Sequence, residues 1–327
     1  MSRIARCLIC FFALFSLVAS ISSEAYAQVT SGFDFYADAT LDVNANGRWD
    51  EITGISGFDF LPDNSPAVTR VTGVSSLPGI GAAFNLPGGS TGNNAGLLLT
   101  IAGTSTQRSF HEAPGDWSNE DVTIEIWFKP DNLTPTPTNG QILFEDGGGT
   151  GFGFFVDNNE LRLRKAGGGG NVASNIAGIS GEFIQAVGTY DVSAGTMELF
   201  VNGLTTGTDN PGGGDWSGGD AAGVGTRGDS NVGGIGSGQQ STESLDGQVA
   251  IFRVYRNQIL TAEEVKKNFN AIAGKVFLDT TGDWGTATNW DTDAEPIVTD
   301  SAFIGGGLTG TVTLAGEVAD NLTVGHN

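Results

Sequence analysis

Cysteine is almost absent from this chain, and the little that occurs is confined to its start. The two cysteines are Cys7 and Cys10, and the remainder of the 327 residues contains none. Histidine is nearly as scarce, with only His111 and His326. Without clustered cysteine or histidine the sequence offers no ligand set for zinc and no Cys-His nucleophile. A Ser-His-Asp triad is equally unsupported, since one histidine lies in a polar loop and the other is the penultimate residue.

Long apolar runs are missing except near the N-terminus. Arg3 and Arg6 precede the apolar segment 7–21, which is followed by Ala-Tyr-Ala at 25–27. A basic start, an apolar run and an Ala-x-Ala site are typical of a secretory signal peptide. A retained membrane anchor is the alternative, but the run is shorter than the ~20 residues that a spanning helix needs. We therefore predict a signal peptide over residues 1–27, an extracellular or cell-surface location, and no transmembrane segment in the mature chain.

Positive charge is scarce as well. Lysine and arginine total 15 against 37 aspartates and glutamates, so the formal net charge is −22. Loss of the predicted signal peptide would leave −23 and would remove both cysteines, so we expect no disulfide in the mature protein. Such a field repels nucleic acid and anionic lipid. It favours divalent cations or cationic partners, and it equally suits the solvated surface of an exported protein.

What the chain has in abundance is strand-like alternation between glycine-rich turns, with 51 glycines in all. In the segment 122–130 the residues Val122, Ile124, Ile126 and Phe128 fall on one face, and polar residues mostly fall on the other. A hairpin is predicted from 152–156 through Asp-Asn-Asn into 161–164, and another from 184–190 into 197–201. Asn202-Gly203 is a type I′ turn dipeptide.

One helix is predicted after the last strand, 248–255. Thr261 and Glu264 have the spacing of a capping box, apolar residues follow at helical intervals, and Gly274 ends the pattern. Many short antiparallel strands with one terminal helix indicate an all-β fold, an antiparallel β-sandwich of two sheets packed face to face.

Four motifs occur in an order that carries a resemblance. They are Thr-Ile-Glu-Ile-Trp-Phe-Lys-Pro (123–130), Val-Gly-Thr-Tyr-Asp (187–191), Met-Glu-Leu-Phe-Val-Asn-Gly (197–203) and Leu-Asp-Gly-Gln-Val-Ala-Ile-Phe-Arg-Val-Tyr (245–255) followed by Leu-Thr-Ala-Glu-Glu-Val. With an upstream Ala-Phe-Asn-Leu-Pro-Gly-Gly (83–89), they resemble the laminin G-like, concanavalin A-like lectin/glucanase superfamily. The resemblance implies a jelly-roll sandwich, which we place at residues 28–274. It does not imply one function, because such sandwiches occur in lectins, adhesion modules, hydrolases and structural spacers.

The sequence pattern changes at residue 275. Two tryptophans, Trp284 and Trp290, precede short strand-like runs, and the pattern resembles the first repeat of autotransporter-type or pectin-lyase-like β-solenoids. One such unit cannot bury a core by itself. We therefore expect residues 275–327 to be an incomplete β-repeat, a truncated second domain of a longer surface protein.

Glucanases of this superfamily carry three acids on one strand, Glu-x-Asp-x-x-Glu, which supply the nucleophile and the general acid. Here Glu125 is followed by Trp127 and Lys129 at the next positions on the same face of the strand, and a lone carboxylate cannot supply both groups, so we expect no catalytic activity. The superfamily's usual Trp-x-His before the strand 187–191 is replaced by Phe183 and Gln185, and its usual Asp in the last strand falls at Ala250. These departures weaken any transfer of function without weakening the fold.

The sharpest site motif is an oxygen-rich loop near the N-terminus. Gly47 stands at position six of this loop, and the predicted Ca²⁺ ligands stand at positions one, three, five and nine: Asp42, Asn44, Asn46 and Asp50. The pattern resembles the calcium loops of EF-hand and dockerin-type repeats, but Thr53 replaces their bidentate Glu at position twelve. The alternative is a metal-free turn, because Asp, Asn and Gly tolerate left-handed backbone.

Function is predicted from loops and aromatic residues. We expect Trp216 and Trp117 to be exposed and to contact a polysaccharide or glycoconjugate. Trp216 lies in a glycine-rich stretch, 206–244, that is too long for an ordinary hairpin and reads as a spacer or a lid. The prediction is therefore a non-catalytic carbohydrate-binding or adhesion module. A structural spacer and a polysaccharide hydrolase are the alternatives.

Overall fold

A computed structural model of the chain describes residues 33–42, 47–54, 56–62, 68–75, 77–89, 96–134, 140–167, 169–179, 181–226, 243–277, 281–290, 296, 301–304, 309–311 and 321–324. The predicted signal peptide lies outside these residues, as do Asn44, Asn46, His326 and the middle of the 206–244 stretch. No helix within the described ranges combines the length and the apolar character that membrane crossing requires.

Strands dominate the described chain. Those before the last long strand are β1 (Phe33–Asp38), β2 (Phe58–Pro62), β3 (Thr69–Thr72), β4 (Ala82–Gly89), β5 (Leu97–Ile101), β6 (Val122–Pro130), β7 (Gln141–Asp146), β8 (Phe152–Asp157), β9 (Glu160–Lys165), β10 (Gly170–Asn175), β11 (Ile184–Asp191), β12 (Thr196–Val201), β13 (Leu204–Asp209) and β14 (Gly223–Val224). Then follow β15 (Glu243–Arg256), the helix α1 (Ala262–Ala273), β16 (Lys275–Phe277), β17 (Thr281–Asp283), β18 (Ser301–Ile304), β19 (Thr309–Thr311) and β20 (Asn321–Val324).

The strands up to β15 form two antiparallel layers. The first layer has the order β3-β4-β15-β6-β11-β12-β13, with β1 paired along the second half of β15, and the second layer has the order β10-β9-β8-β7-β14-β5-β2. The layers are joined at the start of β15, where Glu243 and Ser244 pair in parallel with Gln141 and Ile142. This arrangement confirms the predicted antiparallel β fold.

Alternating apolar side chains from both layers fill the space between them. The ring centroid of Phe252 on β15 lies 5.1 Å from that of Phe144 on β7 and 5.2 Å from that of Phe60 on β2. Gly188 of β11 marks a close approach of the layers, because a Cβ there would stand 2.7 Å from the side chains of Leu163 and Phe154. The core therefore depends on side chains of both layers packing at native density.

The helix α1 begins at the predicted capping box. The Thr261 hydroxyl oxygen accepts a hydrogen bond from the Glu264 backbone N–H at 3.3 Å, and the Glu264 carboxylate accepts one from the Thr261 N–H at 2.8 Å. The helix ends at Gly274, whose φ is 89°. Glycine adopts such a positive φ readily because it has no Cβ. One face of α1 packs on the outside of the first layer, where the rings of Phe269 and Trp127 stack at 5.5 Å.

The two predicted hairpins are present as β8-β9 and β11-β12. Their neighbourhood also contains strands that alternation did not predict. The turn Asn202-Gly203, with φ of 50° and 77°, leads into β13, and β15 begins at Glu243, five residues before the predicted start at Gln248. The stretch 206–244 is therefore not loop throughout, since it contains the end of β13, all of β14 and the start of β15.

Beyond α1 the strands pair in parallel. The ladders are β16-β18-β20 and β17-β19, so that Lys275 lies opposite Ala302, which lies opposite Leu322. Trp284 and Trp290 form a small separate core, with ring centroids 4.8 Å apart and the Trp290 indole N–H donating to the Trp284 carbonyl. Successive segments of this region are thus stacked side by side, unlike the antiparallel layers before it.

Candidate functional site and the predicted site residues

Trp117 and Trp216 are buried, so the expectation that they are exposed was wrong. Their exposed fractions are 2% and 1%. The Trp216 indole N–H donates to the carbonyls of Trp117 at 2.9 Å and Glu120 at 3.1 Å, and the Trp117 indole N–H donates to Pro114 at 3.1 Å. Phe110 stacks on Trp117 at 5.4 Å. The loops that carry these indoles fold inward over the end of the sandwich, which leaves neither ring available to stack on a sugar.

The predicted calcium loop is only partly described. Gly47 has a φ of 78°, as expected for the sharp turn at position six, and Trp49 after it is buried and pairs with Phe60. Asp42 is 4% exposed, and its backbone N–H donates to Asp38 at 2.9 Å. The described ranges contain no group of three or more Asp, Glu, His or Cys residues arranged to hold a metal ion. Since two of its four ligands lie outside those ranges, the calcium site stays a prediction.

Glu125 stands at the position where glucanases of the superfamily carry an acid, and it is fully buried beneath α1. Its Oε1 accepts hydrogen bonds from the Trp127 indole and the Gln185 amide, both at 2.8 Å. Its Oε2 accepts from Arg253 at 3.1 Å and from the Asn268 amide of α1 at 2.9 Å. Both oxygens are therefore occupied by donors from four separate elements.

The same network continues on either side of Glu125. The Tyr255 hydroxyl lies 3.3 Å from Oε2, and burial together with the Glu125 charge raises the Tyr255 pKa. The Arg253 guanidinium lies over the Tyr36 ring at 4.7 Å, and the Tyr36 hydroxyl donates to Asp38 at 2.7 Å. Burial raises the pKa of Tyr36 to about 12, with Asp38 adding to the shift and Arg253 opposing it. This is a structural network that attaches the helix to the sheet.

The superfamily departures noted in the sequence take part in the same packing. Phe183 and Ala250 are buried with Trp127 and Phe269 in one apolar cluster on the outside of the first layer. Gln185, besides bonding Glu125, accepts a hydrogen bond from the Gly203 N–H at 3.0 Å. The superfamily motif did not reveal this role of Gln185, because its partner Glu125 lies on the neighbouring strand β6.

His111 does lie beside an acid and a serine. Its Nδ1 is 3.1 Å from Asp116 Oδ1 and 3.1 Å from Ser118 Oγ, while the Ser118 hydroxyl is 2.7 Å from the same Asp116 oxygen. Because both partners meet the same ring nitrogen, the acid cannot orient one nitrogen while the other takes the serine proton, as a triad requires. Hydrogen bonding to Ser118 holds the Asp116 pKa below its usual range.

Asp146 is a buried acid at the same end of the sandwich. It is 0% exposed, and its Oδ2 accepts a hydrogen bond from the Phe110 N–H at 3.2 Å. Burial raises the Asp146 pKa well above its usual value, against the opposing effect of Ser217 and the Phe110 N–H. No partner of Asp146 Oδ1 is present among the described residues. Asp146 therefore binds a proton more readily than an exposed aspartate does.

The outer face of the second layer carries a different kind of charge. On β9, Leu161 and Leu163 point into the core, so Arg162 and Arg164 lie on the outside. The Arg164 guanidinium lies 5.1 Å from the centre of the Phe155 ring on β8. Both side chains are buried, with exposed fractions of 5% for Arg164 and 3% for Phe155, so this pair is part of the packing and is not an open binding surface.

Comparison with known families identifies a match over the second half of the sandwich. A family model described as "Concanavalin A-like lectin/glucanases superfamily" matches residues 102–266, just over half of the chain. A comparison with curated protein sequences gives no match.

Solved structures are similar in fold at low identity. A receptor binding domain is 12% identical with a TM-score of 0.50, over 76% of this chain and 53% of that one. A Trypanosoma rangeli sialidase in complex with sialic acid is 16% identical with a TM-score of 0.49, over 73% and 33%. Domain 4 of AbnA, a GH43 extracellular arabinanase from Geobacillus stearothermophilus, in complex with arabinotriose, is 15% identical with a TM-score of 0.46, over 72% and 97%. The chain thus spans about a third to a half of the first two.

Proposed function

Because the chain belongs to the concanavalin A-like lectin/glucanases superfamily, we propose that it is a carbohydrate-binding or adhesion module whose partner is a polysaccharide or glycoconjugate. The observation that carries the proposal is the match of the superfamily's model to residues 102–266 of the chain. Sugars are bound in proteins by aromatic faces together with a few charged or polar groups. Trp117 and Trp216 are buried and are not available for such a contact.

The module we propose is non-catalytic. Hydrolysis of a glycosidic bond by two carboxylates needs an acid and a nucleophile or base on opposite sides of the bond. Glu125 supports the proposal because five donor groups from its own chain surround its carboxylate, and α1 covers it. A polysaccharide hydrolase would have to use acids other than Glu125.

The test is a polysaccharide pull-down and glycan array with the full chain, followed by a reducing-sugar assay on every glycan that binds. Retention of a glycan without release of reducing ends is the expected result. Release of reducing ends would overturn the non-catalytic part of the proposal. A chain that retains no glycan would favour the spacer function instead.

A specific observation favours a second role, that of a spacer in a larger surface protein. In the ladders β16-β18-β20 and β17-β19, successive segments of the chain stack in parallel, as the coils of a β-solenoid do. We propose that residues 275–327 are the first coils of such a solenoid. Deletion of β20 should then lower the melting temperature of the Trp284/Trp290 core, which tryptophan fluorescence reports. An unchanged transition would contradict stacking.

We also propose calcium binding through Asp42, Asn44, Asn46 and Asp50. The net charge of −22 supports it, and extracellular sites of this type bind in the micromolar-to-millimolar range. An ion that binds only the folded state stabilises it by about 2.7 kcal/mol at a hundredfold excess over Kd. Melting temperatures with calcium and with a chelator should differ, and the difference should vanish in Asp42→Ala/Asp50→Ala. Equal temperatures for the unaltered chain would refute the site.

Export is proposed on the pattern of residues 1–27 alone. Mass spectrometry of the protein from the medium or the cell surface should find a chain that begins at Gln28. A secreted chain that retains Met1 would contradict the proposed cleavage.

A further inference from the structure

Asp146 is a buried acid at a point where three parts of the chain meet, at one end of the sandwich. It is the last residue of β7 and is fully buried. Its Oδ2 accepts a hydrogen bond from the Phe110 N–H at 3.2 Å, and the Ser217 side chain interacts with the same carboxyl group. One carboxyl group thus connects β7 with two segments that fold over the end of the sandwich, 109–118 and 216–222.

The two segments carry the buried Trp117 and Trp216, and they also bond each other. The Trp216 backbone N–H donates to the Ser118 carbonyl at 2.9 Å. The second segment lies directly on the turn that follows β7, because a Cβ at Gly147 would stand 2.0 Å from the Gly218 nitrogen. Both indoles are therefore buried by one closed arrangement of the two segments, and the buried acid lies beneath it.

The charges around Asp146 favour its neutral form. Burial raises the Asp146 pKa most, and the negative charges of Glu145 on β7 and Glu112 in the segment 109–118 raise it further. The other charged or titratable side chains on the elements around it are Arg108, His111, Asp116, Asp220 and, two strands away on β9, Lys165. Those that can carry a positive charge bond other groups: Arg108 lies near Glu112, His111 contacts Asp116, and Lys165 donates to the Ala166 carbonyl.

An ionised Asp146 is unfavourable in the closed arrangement. A buried carboxylate needs hydrogen-bond donors for both oxygens, and its Oδ1 has no partner among the described residues. Water can hydrate the carboxylate once the covering segments part from β7. We propose that Asp146 is a pH-dependent latch: as a neutral acid it keeps the segments 109–118 and 216–222 closed, and its ionisation releases them and exposes Trp117 and Trp216. The latch does not depend on the proposed glycan-binding function.

The experiment measures acrylamide quenching of tryptophan fluorescence in the full chain from pH 4 to pH 9. All six tryptophans are buried, so quenching should be weak at low pH and should rise with pH as two of the six become accessible. Asp146→Asn cannot ionise and should stay weakly quenched throughout. Asp116→Asn is the matched control and should keep the rise, because hydrogen bonding already holds the Asp116 pKa below its usual range. Glu145→Gln should move the midpoint to lower pH, because it removes a negative charge that raises the Asp146 pKa.

Three results would overturn the latch. The first is quenching of the unaltered chain that does not change with pH, and the second is an equal rise in Asp146→Asn. The third is a loss of far-UV circular dichroism at the same pH, which would show unfolding of the whole domain instead of local opening. Trp216→Phe should reduce the rise, and an undiminished rise would place the opening elsewhere. If Asp146→Asn does not fold, the midpoint of Glu145→Gln decides, and an unshifted midpoint would refute the role of Asp146.

Discussion

The two outer faces of the sandwich treat a buried arginine in opposite ways. On the first layer, Arg253 is fully buried and bonds Glu125, whose carboxylate also receives donors from β6, β11 and α1. On the second layer, Arg164 is nearly as buried, but no carboxylate of the described chain lies within ion-pair distance of it, and its Nη1 has no hydrogen-bond partner there. On the first layer the buried positive charge is thus paired with a buried carboxylate, whereas on the second layer the described residues form no ion pair with Arg164. The two buried arginines should therefore contribute differently to stability.

The largest expected effect on stability comes from breaking the ion pair between Arg253 and Glu125. Arg253→Met should lower the free energy of unfolding by about 3 to 5 kcal/mol, because Glu125 would be left as an uncompensated buried charge. Urea unfolding followed by circular dichroism measures it. The control is the double variant Glu125→Leu/Arg253→Met, in which most of the loss should be recovered. A loss below about 1 kcal/mol in the single variant would contradict the network's role.

Asp146, a buried acid at the end of the sandwich, offers a second test of what a buried charge costs in stability. Its folded-state pKa is raised by burial, so between its usual value and the raised value the folded state binds more protons than the unfolded state. Stability therefore falls as the pH rises through that window. Asp146→Asn should remove this fall and be more stable than the unaltered chain at neutral pH. Urea unfolding of both chains from pH 4 to pH 8 measures the difference, and parallel curves would exclude the effect.

A smaller effect is expected when the helix that covers the first face loses its cap. Thr261→Ala removes the hydroxyl that accepts the Glu264 N–H and should cost about 1 kcal/mol. Thr261→Ser is the matched control, because serine supplies the same oxygen. Thermal melting ranks the three chains. An alanine variant as stable as the serine variant would show that the capping box contributes nothing here.

The smallest effect on stability should come from replacing Arg164 on the outer face of the second layer. Arg164→Met should change the free energy of unfolding by about 1 kcal/mol or less, because no partner loses its charge when Arg164 is removed. The matched change is Arg253→Met, identical in chemistry and at a site of similar burial. Similar large losses for both would mean that Arg164 has an internal counter-ion, and the comparison between the faces would fail.

The elements that the sequence predicted are those that local patterns determine. The alternation of apolar and polar residues predicted β6, β11 and β12, and the spacing of Thr261 and Glu264 predicted the start of α1. In contrast, β13 and β14 consist largely of glycine and threonine, whose alternation carries no apolar signal, so they are strands because their neighbours supply hydrogen-bond partners. Their existence is a tertiary effect.

The candidate sites depended on contacts that no local pattern contains. Trp216 was expected to be exposed because it lies among glycines, but the structure shows its loop folded onto Phe110 and Trp117. Glu125 looked isolated in the sequence because its partners come from strands and a helix up to 143 residues away. A lone Arg253 within the apolar strand 249–255 was the available signal, since a charge in a buried strand requires a partner. Arg164 carried no such signal, as an arginine beside leucines in a hairpin usually points to solvent.

The register of β1 on β15 has a mechanical consequence. Phe33, at the start of β1, lies opposite Tyr255, at the end of β15, so the chain enters and leaves the sandwich at the same end of one antiparallel ladder. Tension applied between residues 33 and 274 would first load α1, which is held by the Asn268 contact with Glu125. Once α1 detached, the pull would separate β1 from β15 one hydrogen bond at a time, as a zipper opens. Under load the domain would therefore yield gradually and lengthen, instead of resisting until it breaks at once.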